Sequence, residues 1–192
     1  MRTFFWSNLK FISNTYLRLY GAKVAGSVTL VGLPIISVKK LSNIYLHDGV
    51  KIVSNSTGTA LGVGRRTILR TLFEGATITI GQDSGLSGST ITCASKIIIG
   101  KRCLIGADVL IMDTDFHPVK HETRNSVNLP YPAESDRIEI GDDVFIGARS
   151  IILKGVKIGN GCVIGAGSVV TSSLPSMTIS AGNPAKVLKK IN

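Results

Sequence analysis

At 192 residues the chain is long enough for one well-buried domain and tight for two. Its hydrophobic content is 44 % but aromatics are only 6 %, so a core must be built from aliphatics, and 21 glycines argue for short strands and tight turns over a helical bundle. The formal charge of +10 is uneven: residues 1–70 hold ten Lys/Arg against the single acid Asp48, while residues 71–192 are nearly balanced. A basic first third admits nucleic acid, an anionic membrane surface or a phosphorylated ligand. No nucleic-acid-binding motif accompanies it, so no nucleic-acid partner is expected.

The N-terminal segment, residues 1–22, reads as an amphipathic helix. Phe5, Leu9, Ile12, Tyr16 and Leu19 recur at helical spacing, with Lys10, Asn14 and Arg18 elsewhere on the wheel. Such a stripe packs on the rest of the protein or lies on a membrane surface. No stretch of 18 apolar residues exists, which excludes a spanning helix. With no secretory signal in view, Cys93, Cys103 and Cys162 read as reduced thiols of a cytoplasmic protein, peripheral at the inner face of the membrane if the segment binds there. They stand at no metal-ligand spacing, and no metal is expected.

A period of six residues governs much of the remainder. A degenerate unit, LHDGVK, begins at Leu46, and the register is clear at Ile80 and Leu86 and again at Ile99, Ile105 and Ile111. From Ile140 the chain reads IGDDVF, IGARSI, ILKGVK, IGNGCV, IGAGSV, VTSSLP. The first position is aliphatic (Ile140, Ile146, Ile152, Ile158, Ile164, Val170), and four places on stands Val144, Ser150, Val156, Cys162, Ser168 or Leu174. So regular a repeat signals a solenoid. Each unit is a short strand plus a turn, and three units close one triangular coil. Both positions point inward, the second near a corner where a small side chain fits, so Cys103 and Cys162 belong to the core. Gly after the aliphatic, as at Gly141 and Gly147, is expected to serve unusual corner backbone angles.

The register stops after Ile111 and resumes at Ile140, the only large break the repeat shows. The intervening loop, 113–138, holds two of the three His and three of the six Pro. A long loop on a rigid solenoid is a favoured place for function. His117, in Asp-Thr-Asp-Phe-His-Pro, has the chemistry of a general base, since a neutral imidazole takes a proton from an attacking hydroxyl near neutral pH. Asp113, Asp115 and Glu139 are candidates to orient it, Asp115 foremost. His121, Glu122 and His47 read as solvated or turn residues.

Together DTDFHP, the run IGDDVFIGARSIILKGVKIGNGCVIGAGSVVT and AGNPAKV resemble the hexapeptide-repeat O-acetyltransferases, among them the maltose, galactoside, nodulation-factor and polysaccharide acetyltransferases. The likeness covers residues 74–190. It implies an all-β, left-handed parallel β-helix over 23–185, preceded by the helical segment and followed by a tail, 186–192. Handedness comes from the resemblance alone, because ordinary crossovers are right-handed. It further implies acetyl transfer from acetyl-CoA, without a metal, to a sugar or glycan-precursor hydroxyl, with His117 as base. CoA contacts carry over to Ala148, Ala166, Thr171, Lys186 and Lys189, in a groove between neighbours of a homotrimer. One departure stands out: the sugar acetyltransferases have an Asn where this chain reads Leu86-Ser87-Gly88-Ser89-Thr90, leaving Ser87 or Ser89 as substitute donors. The rival readings are N-acetylation of a nucleotide-linked amino sugar, three-His metal chemistry (His47 and His121 fit it poorly), and a non-catalytic scaffold, which leaves the His117 loop unexplained.

Overall fold

In the computed structural model, residues 12–125 and 132–191 are described below. After a helix over 12–19, the chain winds through coils of three strands each. The first coil comprises β1 (Lys23–Val24), β2 (Thr29–Val31) and β3 (Ile35–Ser37), and the second β4 (Asn43–Leu46), β5 (Lys51–Val53) and β6 (Ile68–Thr71). The third comprises β7 (Thr77–Ile80), β8 (Gly85–Ser87) and β9 (Thr90–Cys93), and the fourth β10 (Lys96–Ile99), β11 (Leu104–Ala107) and β12 (Leu110–Met112). Beyond the loop follow β13 (Ile138–Ile140), β14 (Phe145–Ile146) and β15 (Ile151–Ile152), then β16 (Lys157–Ile158), β17 (Val163–Ile164) and β18 (Val169–Val170).

Each strand of a coil pairs in parallel with the strand three places on, giving three faces. Face A is β1-β4-β7-β10-β13-β16, face B starts β2-β5-β8-β11-β14-β17, and face C is β3-β6-β9-β12-β15-β18. This is the parallel β-helix expected from the repeat, with the left hand that the resemblance implies. Ile140, Ile146, Ile152, Ile158, Ile164 and Val170 are each at most 2 % exposed, and their partners four residues on are buried too. Aliphatic stacks on aliphatic, as in Ile99↔Ile140↔Ile158 and Ile105↔Ile146↔Ile164. Burying each such side chain stabilises the fold by roughly 1.5–3 kcal/mol. Cys103 and Cys162 fill inward corner positions, their thiols donating to the carbonyls of Gly141 (3.0 Å) and Pro175 (2.9 Å).

Three expectations need correction. First, Gly100, Gly141, Gly147, Gly159 and Gly165 lie outside the positive-φ residues. They are glycine because a Cβ would strike the next coil: at Gly147 it would lie 2.5 Å from the Ala166 nitrogen. The left-handed conformation falls two residues later, at Arg102, Asp108, Asp143, Arg149, Gly161 and Gly167. Second, the helix buries Ser13 and Leu17 and leaves Ile12 (61 %) and Leu19 (80 %) exposed, so its packed face is rotated from the Ile12–Tyr16–Leu19 stripe. Phe5 and Leu9 lie outside the described residues. Third, the loop after Ile111 is not the only excursion. Residues 54–67, between β5 and β6, fold back over face B, where a Cβ on Gly58 would strike Val31 and Val53.

Both ends of the prism are covered, as solenoids require. At one end Leu17, 0 % exposed, plugs the first coil, and Tyr16 Oη donates to the Pro34 carbonyl at 2.8 Å. At the other, β19 (Thr178–Gly182) pairs with β17, and β20 (Ala185–Lys190) returns antiparallel on it, so residues 186–190 form an edge strand rather than a tail. No helix among the described residues is long and apolar enough to cross a membrane.

The stacking predicts the outcome of one substitution. Ile158→Asp places an unpaired charge at a side chain only 2 % exposed, between Ile140 and Leu174. The loss is about 4 kcal/mol or more, a fall in Tm of roughly 10 °C or an unfolded chain. An unchanged melting curve would show that this side chain does not point inward.

Candidate active site

The loop leaves the prism where face C meets face A, after Met112, and rejoins it at Ile138. Its first residue is locked in place. The Asp113 carboxylate is fully buried and accepts hydrogen bonds from the backbone N–H groups of Ala94, Ser95 and Lys96 at 2.5, 2.8 and 2.9 Å. It closes the corner between β9 and β10. A buried carboxylate with three donors is well satisfied; removing it would leave those donors unpaired. Cys93, also buried, sets its thiol 3.4 Å from Asp113, and burial together with that negative charge pushes its pKa far above the ordinary thiol value. It is an inert packing residue.

Asp115, two residues on, is 2.9 Å from the Lys154 ammonium, which also reaches Asp136 at 3.4 Å. Lys154 stands on the coil below, just after β15, so one side chain ties both ends of the loop to the solenoid. The neighbouring Asp115 carboxylate raises the Lys154 pKa above its usual value. Between these anchors Phe116 takes φ +62, a left-handed backbone that a bulky residue adopts at a cost of roughly 1–2 kcal/mol. Strain of this kind persists where the surroundings over-determine it. His117 follows directly. Its side chain is exposed and makes no hydrogen bond or ion pair among the described residues.

Of the three carboxylates offered as partners for His117, none contacts it in the single chain. Asp113 clamps the corner, Asp115 holds Lys154, and Glu139 pairs with Arg137 (2.8 Å) and Lys157 (3.5 Å) on face A. His121 lies against Glu122 and is largely exposed, and His47 is an exposed corner residue. Among the described residues no group of three His, Cys, Asp or Glu side chains is arranged to hold a metal.

The residues offered for CoA fall into two places. Ala148 and Ala166 stack on the corner between faces B and C, continuing Ala107 above them; the Arg149 N–H donates to the Ala107 carbonyl (2.7 Å) and the Gly167 N–H to that of Ala148 (2.9 Å). Lys186 pairs across from Ala181, beneath the same corner, and Lys189 pairs with Ile179 on face B. Thr171 follows β18 and sits at the far edge of face C, on the loop side. Within one chain, face C therefore separates the loop from the alanine corner.

One hollow, of about 230 Å³, lies at the alanine corner itself, among Ala107, Asp108, Arg149 and the 54–67 excursion, and two others lie on faces A and B. A broad groove of about 640 Å³ lies on face A, opposite the alanine corner, among Glu139, Lys157, Asn160 and Ser176. A smaller cleft of about 270 Å³ lies on face B between the 54–67 excursion and Leu104 and Phe145, with Ser87 and Lys51 on its walls. Ser87 is thus available to a ligand. Ser89 is not: it is fully buried and donates to the carbonyls of Ser87 and Gly106, as an inward corner residue.

Lys154 and the 54–67 excursion escaped the sequence reading. Their signals were present: Leu153-Lys154 replaces the Gly found after most repeat aliphatics, and Gly58, Gly62 and Gly64 cluster in the excursion. Asp108 secures that excursion, accepting from the Gly64 N–H at 2.9 Å.

Known proteins bear directly on this arrangement. The family described as the hexapeptide repeat of succinyl-transferase matches residues 96–111 and 137–172, the coils on either side of the loop. An Escherichia coli (strain K12) O-acetyl transferase assigned provisionally to lipopolysaccharide biosynthesis is 40 % identical over 106 residues, 53 % of this chain and 54 % of its own length. The galactoside O-acetyltransferase of the same organism is 40 % identical over 104 residues, 54 % of this chain and 48 % of its own. This chain thus spans about half the length of those relatives. Among solved structures, an N-acyltransferase from Bacillus cereus in complex with dTDP and 3-hydroxybutyryl-CoA superposes with a TM-score of 0.67 at 20 % identity, covering 93 % of this chain and 88 % of its own. Repeat, coil geometry and relatives agree: the chain carries hexapeptide repeats, folds as a left-handed parallel β-helix, and is similar over about half its length to hexapeptide-repeat O-acetyltransferases.

Proposed function

We propose that the chain transfers an acetyl group from acetyl-CoA to a hydroxyl of a sugar or glycan precursor, with His117 as general base. The observation that carries this reading is an exposed imidazole, without a bonded partner among the described residues, on a loop pinned at both ends to the solenoid. A base that must meet an acceptor proton needs a free ring nitrogen and a fixed position, and the loop provides both. His117 takes the proton as the acceptor oxygen attacks the thioester carbonyl. The C–S bond then breaks, and the imidazolium returns the proton to the departing CoA thiolate, giving the acetyl ester and CoA. A backbone amide beside the loop stabilises the oxyanion. Asp115 serves His117 as an anchor, through Lys154, rather than as a partner of the ring.

The CoA arm is assigned to the corner of Ala148 and Ala166, which offer it backbone groups because their own side chains are apolar. Lys186 and Lys189 supply charge for the nucleotide phosphates, and Thr171 lies against the nucleotide. Because face C separates that corner from the loop in one chain, the complete site takes its two halves from neighbouring copies of a homotrimer. Support for association comes from the outward side chains: Leu104, Phe145, Val163 and Ile179 form an apolar ladder on face B, and Leu110, Ile151 and Val169 another on face C. Face A instead carries Lys96, Glu139 and Lys157. Apolar ladders of this extent are covered in stable assemblies.

The acceptor as a hydroxyl compound rests on the two O-acetyltransferase relatives, which match about half of the chain. A Staphylococcus aureus N-acetyltransferase matches only 59 residues, 31 % of the chain. Acetyl-CoA offered with matched hydroxyl and amino sugars, and products read by mass, decides between ester and amide. Amide formation alone overturns the O-acetyl reading.

His117→Ala is expected to lower turnover by roughly two to four orders of magnitude with CoA affinity unchanged; near-normal turnover in the folded variant removes His117 from the mechanism. Lys154→Met is expected to lower kcat about tenfold or more by releasing the loop. Its Tm should shift little, since the pair is more than one-third exposed on both sides. Lys154→Arg should restore much of the rate; if both variants behave alike, the ion pair is not what places the loop.

A further inference from the structure

The N-terminal end of the prism has a character that acetyl transfer leaves unused. Helix 12–19 lies across the open first coil, held by Asn14, whose side chain bonds the Gly26 carbonyl (2.8 Å) and accepts from the Val28 N–H (3.0 Å). Successive residues of a helix step by about 100°, so burying Ser13 and Leu17 turns Ile12, Thr15, Arg18 and Leu19 to the opposite side. Those four are exposed, Ile12 at 61 % and Leu19 at 80 %. Around them the first turns of the solenoid expose Leu33 (51 %) and Leu41 (70 %). Ile12 and Leu33 border one shallow hollow, and the helix end at Gly21 rests on Val38, next to Lys39 and Lys40.

Apolar side chains this exposed at a solenoid end are unusual, because terminal caps ordinarily present a polar outer face. Here the cap is apolar and basic together. Arg18, Lys23, Lys39 and Lys40 are exposed on the same helix and first coil as these apolar side chains, and no acid occurs before Asp48. The sequence of residues 1–11 continues the same composition, with Phe4, Phe5, Trp6, Leu9 and Phe11 beside Arg2 and Lys10. The opposite end is cationic too, with no acid after Asp143, but its Lys186 and Lys189 are the side chains assigned to CoA, whereas the bases of the N-terminal end have no such use.

We infer that this end of the molecule docks on an anionic lipid surface, with Ile12 and Leu19 entering the headgroup boundary and the surrounding cations meeting lipid phosphates. Apolar area and positive charge act together in such binding, and neither alone gives a stable attachment. A nucleic acid would use the charge but leave the leucines unburied, and a second copy would set like charges against each other. With the docking end perpendicular to the coil axis, the loop and the alanine corner stand out from the membrane, accessible to an acceptor carried by a lipid.

The test uses the full chain and sedimentation with vesicles of phosphatidylglycerol and phosphatidylcholine, against phosphatidylcholine alone. Binding is expected to the anionic vesicles only and to weaken by tenfold or more as salt rises from low to physiological strength and above. Leu19→Glu and the pair Lys39→Glu/Lys40→Glu should each weaken it at least tenfold with an unchanged Tm, since all three side chains are exposed. Leu188→Glu, 65 % exposed on the edge strand at the other end, should bind as the natural chain does. Absence of binding, equal binding by Leu19→Glu, or retention on duplex nucleic acid without retention on vesicles would each overturn the inference. So would end-to-end self-association that Leu19→Glu abolishes while vesicles are ignored.

Discussion

Coil-on-coil hydrogen bonding sets the distance at which everything else in this molecule must fit. Strands paired in register lie about 4.8 Å apart, so each coil repeats its neighbour at that spacing and every inward position becomes a column. An aliphatic fits a column along a flat face, and only a compact side chain fits one near a corner. The same spacing forbids a Cβ at Gly100, Gly141 and Gly147, where the next coil's backbone already occupies the space. The glycine pattern is thus a record of close packing between coils. Backbone twist is absorbed separately, at Arg102, Asp143, Arg149 and their equivalents.

Because that constraint is periodic, the sequence states it openly. Inward positions from Ile80 to Leu174 were legible with no alignment, and each is buried. Legibility ends where periodicity ends. In the first coils, Leu46, Val50 and Ile52 keep the pattern while Asn43–Leu46 and Ile68–Thr71 carry it without the Ile-Gly signature, so the 54–67 excursion passed unnoticed. The helix was legible as a helix but not in its orientation. Two faces of 12–19 carry apolar residues, and which one is buried depends on Asn14, Ser13 and Tyr16 meeting backbone groups of the first coil. Hydrophobic periodicity has no access to those bonds.

For the candidate site the division runs along the same line. His117 stood out because it interrupts a repeat. The carboxylates around it could not be sorted, because Asp113, Asp115 and Glu139 look alike in sequence and differ only in what they face. One meets three backbone amides, the second a lysine from the coil below, and the third two cations on face A. Lys154 is a contact across 39 positions, from the next coil, and no local pattern announces it. What could be seen was that its unit, ILKGVK, departs from the consensus of its neighbours. In a solenoid a departure is the informative observation, since conformity is already explained by packing.

The three faces and two ends then divide the functions among themselves by chemistry. Faces B and C carry apolar ladders, face A the charged Lys96, Glu139 and Lys157, the C-terminal end a cationic edge strand, and the N-terminal end an apolar, basic cap. A translation-symmetric scaffold can specialise its surfaces in this way because outward side chains are free of the column constraint that fixes the inward ones. Each outward row can change its chemistry without altering the fold, whereas the loop at the C–A corner, like the 54–67 excursion, needs the backbone itself to leave the repeat. That asymmetry explains why the site requires extra anchors. Where the coil geometry no longer holds the chain, Asp113 and Lys154 replace it, one by a buried carboxylate at the loop's root and one by an ion pair at both its ends.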